Sequence, residues 1–123
     1  MSPQTVSKLR RILSLGALLS CFGASVALAH AQLRAAAPAK DSETASPAEV
    51  VLTFSEAVTP AIMTLADQGG HEVKAVGTPK ADGNTLHLPI TAKLAPGLYT
   101  VTYRIAGADT HVVNGTLAFT VTK

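Results

Sequence analysis

Chain-breaking residues recur at short intervals between Pro38 and Gly115, and no other feature limits the fold as strongly. Pro38, Pro47, Pro60, Gly69-Gly70, Pro79, Asp82-Gly83-Asn84, Pro96-Gly97 and Asn114-Gly115 mark turns. Proline withdraws a backbone donor, and glycine and asparagine accept backbone conformations that other residues avoid. No run between these breaks is both long enough and suitably periodic for a helix. The runs are short and rich in Val, Leu, Thr and Tyr, which points to strands.

The clearest strand is Leu98 to Ile105. Tyr99, Val101, Tyr103 and Ile105 fall on one face, and Thr100, Thr102 and Arg104 on the other, so one face is buried and one is wet. The last segment repeats the pattern, with Leu117, Phe119 and Val121 inward. Val50, Leu52 and Phe54 alternate with Val51, Thr53 and Ser55, and Leu86, Leu88 and Ile90 with Thr85, His87 and Pro89. Weaker strands are expected at Leu33–Ala36, Ile62–Ala66 and Glu72–Val76, with Asp41 to Pro47 as the most polar connection. Seven strands in residues 30–123 give an all-β sandwich or barrel. A domain of this size buries about 60–65% of its unfolded surface. Phe54, Tyr99, Tyr103 and Phe119 therefore belong to the core, and no aromatic is left to stack on sugars or single-stranded nucleic acid.

Residues 1–29 are of a different kind. Lys8, Arg10 and Arg11 precede an apolar run from Ile12 to Leu28, which ends in the small-x-small signature Ala27-Leu28-Ala29. This layout is a cleaved secretory signal peptide, leaving residues 30–123 as one domain that starts at His30. Two alternatives stand beside it. One is a retained membrane anchor, which the interspersed Ser and Gly residues weaken. The other is a loose lipobox, Leu18-Leu19-Ser20-Cys21, which would lipidate Cys21. The leader also distorts the charge. The whole chain carries a net charge of +2, but residues 30–123 hold seven Lys or Arg against eight Asp or Glu. Nucleic acid loses its support as a partner. Cys21 is the only cysteine, so the domain has no thiol for a disulfide, a nucleophile or a thiolate metal site.

The four histidines, His30, His71, His87 and His111, are then the main chemical equipment. In an extended Asp109-Thr110-His111, a carboxylate and an imidazole two residues apart face the same side. A free amino-terminal His30 adds two nitrogens, the α-amine and Nδ1, which close a six-membered chelate. Three nitrogens and one oxygen in a tetragonal array favour Cu(II). His71, after Gly69-Gly70, reads as a solvated residue at a hairpin tip, and His87 as a residue on the polar face of its strand. Glu56 is either a surface charge or an acid that orients an imidazole from behind.

Four segments now stand in order: His30-Ala31-x-Leu33 with Pro38; Val51-Leu52-Thr53-Phe54-Ser55-Glu56-Ala57-Val58; Leu94-x-x-Gly97-x-Tyr99-x-Val101-x-Tyr103-Arg104; and Asp109-x-His111-x-x-x-Gly115-x-x-x-Phe119-x-Val121. On these residues the chain resembles the bacterial periplasmic copper-resistance CopC proteins. The resemblance implies a cupredoxin-like or Ig-like Greek-key fold and one Cu(II) held by His30, Asp109 and His111, with Glu56 as an acid near the site. Two positions depart from the family pattern: Gly107 stands where Ser is common, and Val112 where Pro is common. Met63 stands alone, so the methionine-rich Cu(I) segment of some relatives does not carry over.

The expected function is therefore a monomeric, non-enzymatic periplasmic protein. It sequesters Cu(II) or hands it to a membrane transporter, which the resemblance implies is an inner-membrane copper permease. A copper-dependent oxidative enzyme of the amino-terminal-histidine type is the first alternative. Asp109 would fill a position that oxygen chemistry needs open, and aromatics to grip a polysaccharide are missing. A metal-free Ig-like interaction module is the second. It leaves His30 directly after Ala27-Leu28-Ala29 as a coincidence.

Overall fold

The computed structural model describes residues 30–123. The leader assigned to residues 1–29 and its alternative at Cys21 lie outside the described residues. Eight strands follow one another: β1 (Leu33–Ala37), β2 (Glu43–Thr44), β3 (Glu49–Phe54), β4 (Thr59–Ala66), β5 (Lys80–Asp82), β6 (Thr85–Pro89), β7 (Gly97–Ala106) and β8 (Val112–Val121). They form two four-stranded sheets, ordered β1-β3-β6-β5 and β2-β8-β7-β4. All pairs are antiparallel except β2 with β8. The all-β sandwich expected from the turn spacing is what forms.

Period-two patterning builds the space between the sheets. Val50, Leu52 and Phe54 of β3 and Leu86 and Leu88 of β6 face Tyr99, Val101, Tyr103 and Ile105 of β7 and Leu117, Phe119 and Val121 of β8. All are buried, and Met63 and Leu65 of β4 complete that layer. The aromatics pair across it. Phe54 meets Tyr103 edge-on at 5.4 Å, and Tyr99 stacks on Phe119 at 6.0 Å. Burying Tyr99 requires a partner for its hydroxyl, which donates to the Ala95 carbonyl at 2.7 Å. A bond back to the backbone four residues upstream, near the start of a strand, is the tyrosine-corner device of Ig-like sandwiches.

Three elements differ from the sequence expectation. Glu72–Val76 is not a strand. It makes isolated bridges, Ala66 with Glu72 and Val76 with Ile90, because the segment leaves the second sheet at one end and joins the first at the other. Glu43–Thr44, inside the polar connection, is a short strand pairing in parallel with Thr120–Val121. Lys80–Asp82 is the outer arm of a hairpin with β6, turned by Gly83 at φ +62°. Both added strands are held by main-chain pairing at a sheet edge, which needs no side-chain alternation.

Candidate metal centre

Three segments meet at one end of the sandwich: residues 30–32 before β1, residues 55–58 between β3 and β4, and residues 107–111 between β7 and β8. The β7–β8 turn carries the Asp109-Thr110-His111 triplet. It is not extended, as sequence reasoning expects. The Thr110 N–H donates to the Gly107 carbonyl at 3.0 Å, and Thr110 adopts φ +67°. That left-handed residue is unfavourable for a β-branched side chain. It folds the chain back so that His111 N–H donates to Asp109 Oδ1 at 3.0 Å and the His111 ring bonds Asp109 Oδ2 through Nδ1 at 2.7 Å. The two side chains share a point as anticipated, but through a turn.

These two bonds hold the Asp109 carboxyl below its ordinary value of 3.8; the ring bond has the larger effect and the peptide N–H the next. The ionised carboxylate accepts, so the proton of the His111 ring sits on Nδ1 and Nε2 is left as the free donor toward a cation. Each Asp109 oxygen keeps a second lone pair.

His30 comes from the other end of the described chain. Ala31 anchors it, with only 2% of its surface exposed. Next to it, Gln32 N–H donates to Ser55 Oγ at 2.9 Å, and Ser55 N–H donates to the Gln32 carbonyl at 2.8 Å. This reciprocal pair fixes the amino-terminal segment beside the β3–β4 connection. His30 Nδ1 then lies 3.9 Å from Asp109 Oδ2, and its ring meets His111 edge-on at 5.0 Å. Ligand atoms of His30, Asp109 and His111 all lie within 4.8 Å of one another. Both imidazoles are exposed and the carboxylate is half-buried, so a solvent-borne ion has direct access. Two imidazoles and a carboxylate without thiolate form a borderline donor set, suited to a divalent first-row transition-metal ion.

The remaining sequence candidates lie elsewhere. His71 is solvent-exposed, with Nδ1 3.4 Å from Asp67 Oδ1. The same Asp67 oxygen takes the N–H groups of Gly69 and His71, and it forms a turn cap rather than a cluster. His87 sits between Glu49, 3.2 Å from Nδ1, and Thr85, 3.1 Å from Nε2. Glu56 makes no hydrogen bond or ion pair with either site imidazole. Its Oε1 accepts from the Ala108 N–H at 3.3 Å, so it is tied to the backbone of the β7–β8 turn. Sequence reasoning quotes Ala31 and Ser55 within longer segments but gives them no role at the site, because their small side chains carry no chemical signal. It notes Gly107 only as a departure; here a side chain at Gly107 would meet the Glu56 carboxylate.

A family model described as the CopC domain matches residues 33–122. Copper resistance protein C of Xanthomonas campestris pv. juglandis is 31% identical over 104 residues, covering 77% of this chain and 82% of that protein. Copper resistance protein C of Escherichia coli is 32% identical over 105 residues, covering 77% and 83%. The crystal structure of CopC from Methylosinus trichosporium OB3b is 33% identical with a TM-score of 0.67, covering 75% of this chain and 93% of that one. PcoC, a methionine-rich copper resistance protein from Escherichia coli, is 30% identical with a TM-score of 0.68, covering 76% and 100%.

Proposed function

The chain belongs to the CopC family, and from that premise we propose that it is a periplasmic Cu(II)-binding protein that holds one ion per chain through His30, Asp109 and His111. One observation carries this reading. Two imidazoles and a carboxylate from opposite ends of the described chain converge within 4.8 Å, and the carboxylate stays ionised. Nothing in sandwich packing requires that convergence, because all three lie outside the core.

Cleavage after Ala29 would add the α-amine of His30 as a fourth donor. Ion binding displaces protons from such ligands, so affinity falls as the medium is acidified. The thioether of Met63 takes no part, because it is packed in the core at 4% exposure. That supports a Cu(II) site and distinguishes this chain from the methionine-rich relative. A half-exposed site with an open approach suits sequestration and onward transfer of the ion to a membrane transporter better than oxidative catalysis on a bulky substrate.

The test is export of the chain into a periplasm, intact mass, and Cu(II) titration against a competing chelator. The expected result is a start at His30 and one Cu(II) bound, with binding lost in His111→Ala and weakened by one residue added before His30. A lipidated Cys21, or tight binding that survives the added residue, overturns the amine ligand. Unchanged titration in both His111→Ala and Asp109→Ala overturns the site.

A further inference from the structure

We propose that the outward face of the second sheet, across β4, β7 and β8, is the docking surface for the protein that takes the ion from this one. That partner presents a flat, uncharged surface with one carboxylate. The inference rests on the transfer reading above for the partner's role, whereas the character of the face stands without a metal.

Charge distribution carries it. Arg104 is the one charged residue in β4, β7 and β8. The strands of the first sheet are shorter in total, yet they carry Arg34, Glu49, Lys80 and Asp82. A surface made only for water holds about 25–35% charged residues, whereas the centre of an interface is depleted of them. Alternation sends Tyr99, Val101, Tyr103 and Ile105 inward, so Thr100, Thr102 and Arg104 face out. Register lines the outward residues into rows. Thr64, Thr102 and Thr116 form one, and Ile62, Arg104 and Asn114 form the next. Among the described residues, three of the four exposed large apolar side chains, Ile62, Leu98 and Val112, stand on this face. No carboxylate among the described residues pairs with Arg104. A lone guanidinium on a neutral field is matched by an acid from outside, and arginine is a favoured interface anchor.

Area and position select the occupant. Neighbouring strands lie about 4.8 Å apart and rise about 3.4 Å per residue, so this face spans roughly 500 Å². A stable interface takes about 800 Å² from each partner. Two copies stacked here would fall short of that, and each Arg104 would meet strands that hold no acid. The size fits a contact that forms and releases, as transfer of an ion requires. One end of the face reaches the metal centre: Val112 directly follows His111 and pairs with Ala106. The exposed His111 ring therefore stands at the margin of the docking surface, where a seated partner meets it.

The test uses the full chain, exported in the cells that produce it. The photo-crosslinker p-benzoylphenylalanine replaces Thr102 on this face or, as a control, Thr53 on the outward face of the first sheet. The expected result is a copper-dependent adduct with one different protein, severalfold stronger from Thr102 than from Thr53. Arg104→Glu should abolish it, with Cu(II) titration and melting temperature at wild-type values. Exchanging the matching acid of the captured protein for lysine should restore it. Thr116→Arg, which adds a charge and leaves Arg104 in place, should weaken the adduct as well. Equal adducts from both positions, adducts that survive both charge variants, or an adduct only with a second copy of this chain overturn the docking surface. An adduct indifferent to copper, in a chain that binds it, overturns the hand-over. A chain that binds no Cu(II) sinks the copper reading alone, and the response to Arg104→Glu still decides the surface.

Discussion

Thr110 shows how one residue decides the site. Two residues apart in an extended strand, Asp109 and His111 would share a side but not a hydrogen bond between carboxylate and ring. The left-handed Thr110 brings them to 2.7 Å. A β-branched residue there carries backbone strain of about 1–3 kcal/mol. Asparagine tolerates that region better. Thr110→Asn should therefore raise stability by about 0.5–1 kcal/mol, part of that strain, read as a higher urea midpoint with unchanged slope. The carboxylate gives a second residue-scale expectation. The folded-state pKa of Asp109 is depressed, so its contribution is present above the ordinary value of 3.8 and is lost as pH falls through the lower folded value. Asp67, lowered chiefly by the His71 N–H, behaves the same way. Urea titrations from pH 5 to pH 2 should show stability falling less steeply in Asp109→Asn than in wild type; equal slopes would remove Asp109 from the acid response.

At the scale of elements, the β7–β8 pair carries both the core and the site. Tyr103 lies directly opposite Gly115 in its register, and the Tyr103 ring occupies the space where a Gly115 side chain would stand. Burial in that position also pushes the Tyr103 hydroxyl pKa up. Gly115→Ala must displace an aromatic ring that is packed against Phe54. Such overpacking costs about 1–3 kcal/mol, or a drop of about 4–8 °C in melting temperature per kcal/mol for a domain of this size. Calorimetry would measure it, and a melting temperature within 2 °C of wild type, an approximate threshold set well below that range, would contradict the placement of the ring. The amino-terminal segment is held more lightly, by buried Ala31 and the reciprocal Gln32–Ser55 bonds.

For the molecule as a whole, the proposed metal site joins the amino-terminal segment to the last hairpin, so an ion bound there should stabilise the entire sandwich. A ligand that binds only the folded state at a hundred times its Kd adds about 2.7 kcal/mol. Thermal melts should accordingly rise by more than about 10 °C with Cu(II), and fall back on adding a chelator. An unshifted melt at saturating ion would mean that binding does not depend on the fold. What could be read without coordinates follows the same division. Alternation in Leu98–Ile105, in Val50–Phe54 and at Leu117, Phe119 and Val121 placed the core correctly, because burial of one face acts residue by residue along a strand. His30, Asp109 and His111 could be named as candidate donors because their chemistry is local and no thiol competes in residues 30–123. Glu72–Val76 reads as a strand in the sequence but switches sheets, and Glu43–Thr44 and Lys80–Asp82 carry no alternating signal because edge pairing is a main-chain matter. Of Glu56, the sequence could say only that an acid stood near; that it grips the Ala108 N–H across Gly107, and that Ala31 and Ser55 hold His30 in place, depends on three segments distant in sequence meeting at one end of the sandwich. Side-chain character and strand period are written locally in the chain, whereas the spacing of the candidate ligands is decided by long-range packing, which only the folded sheets bring about.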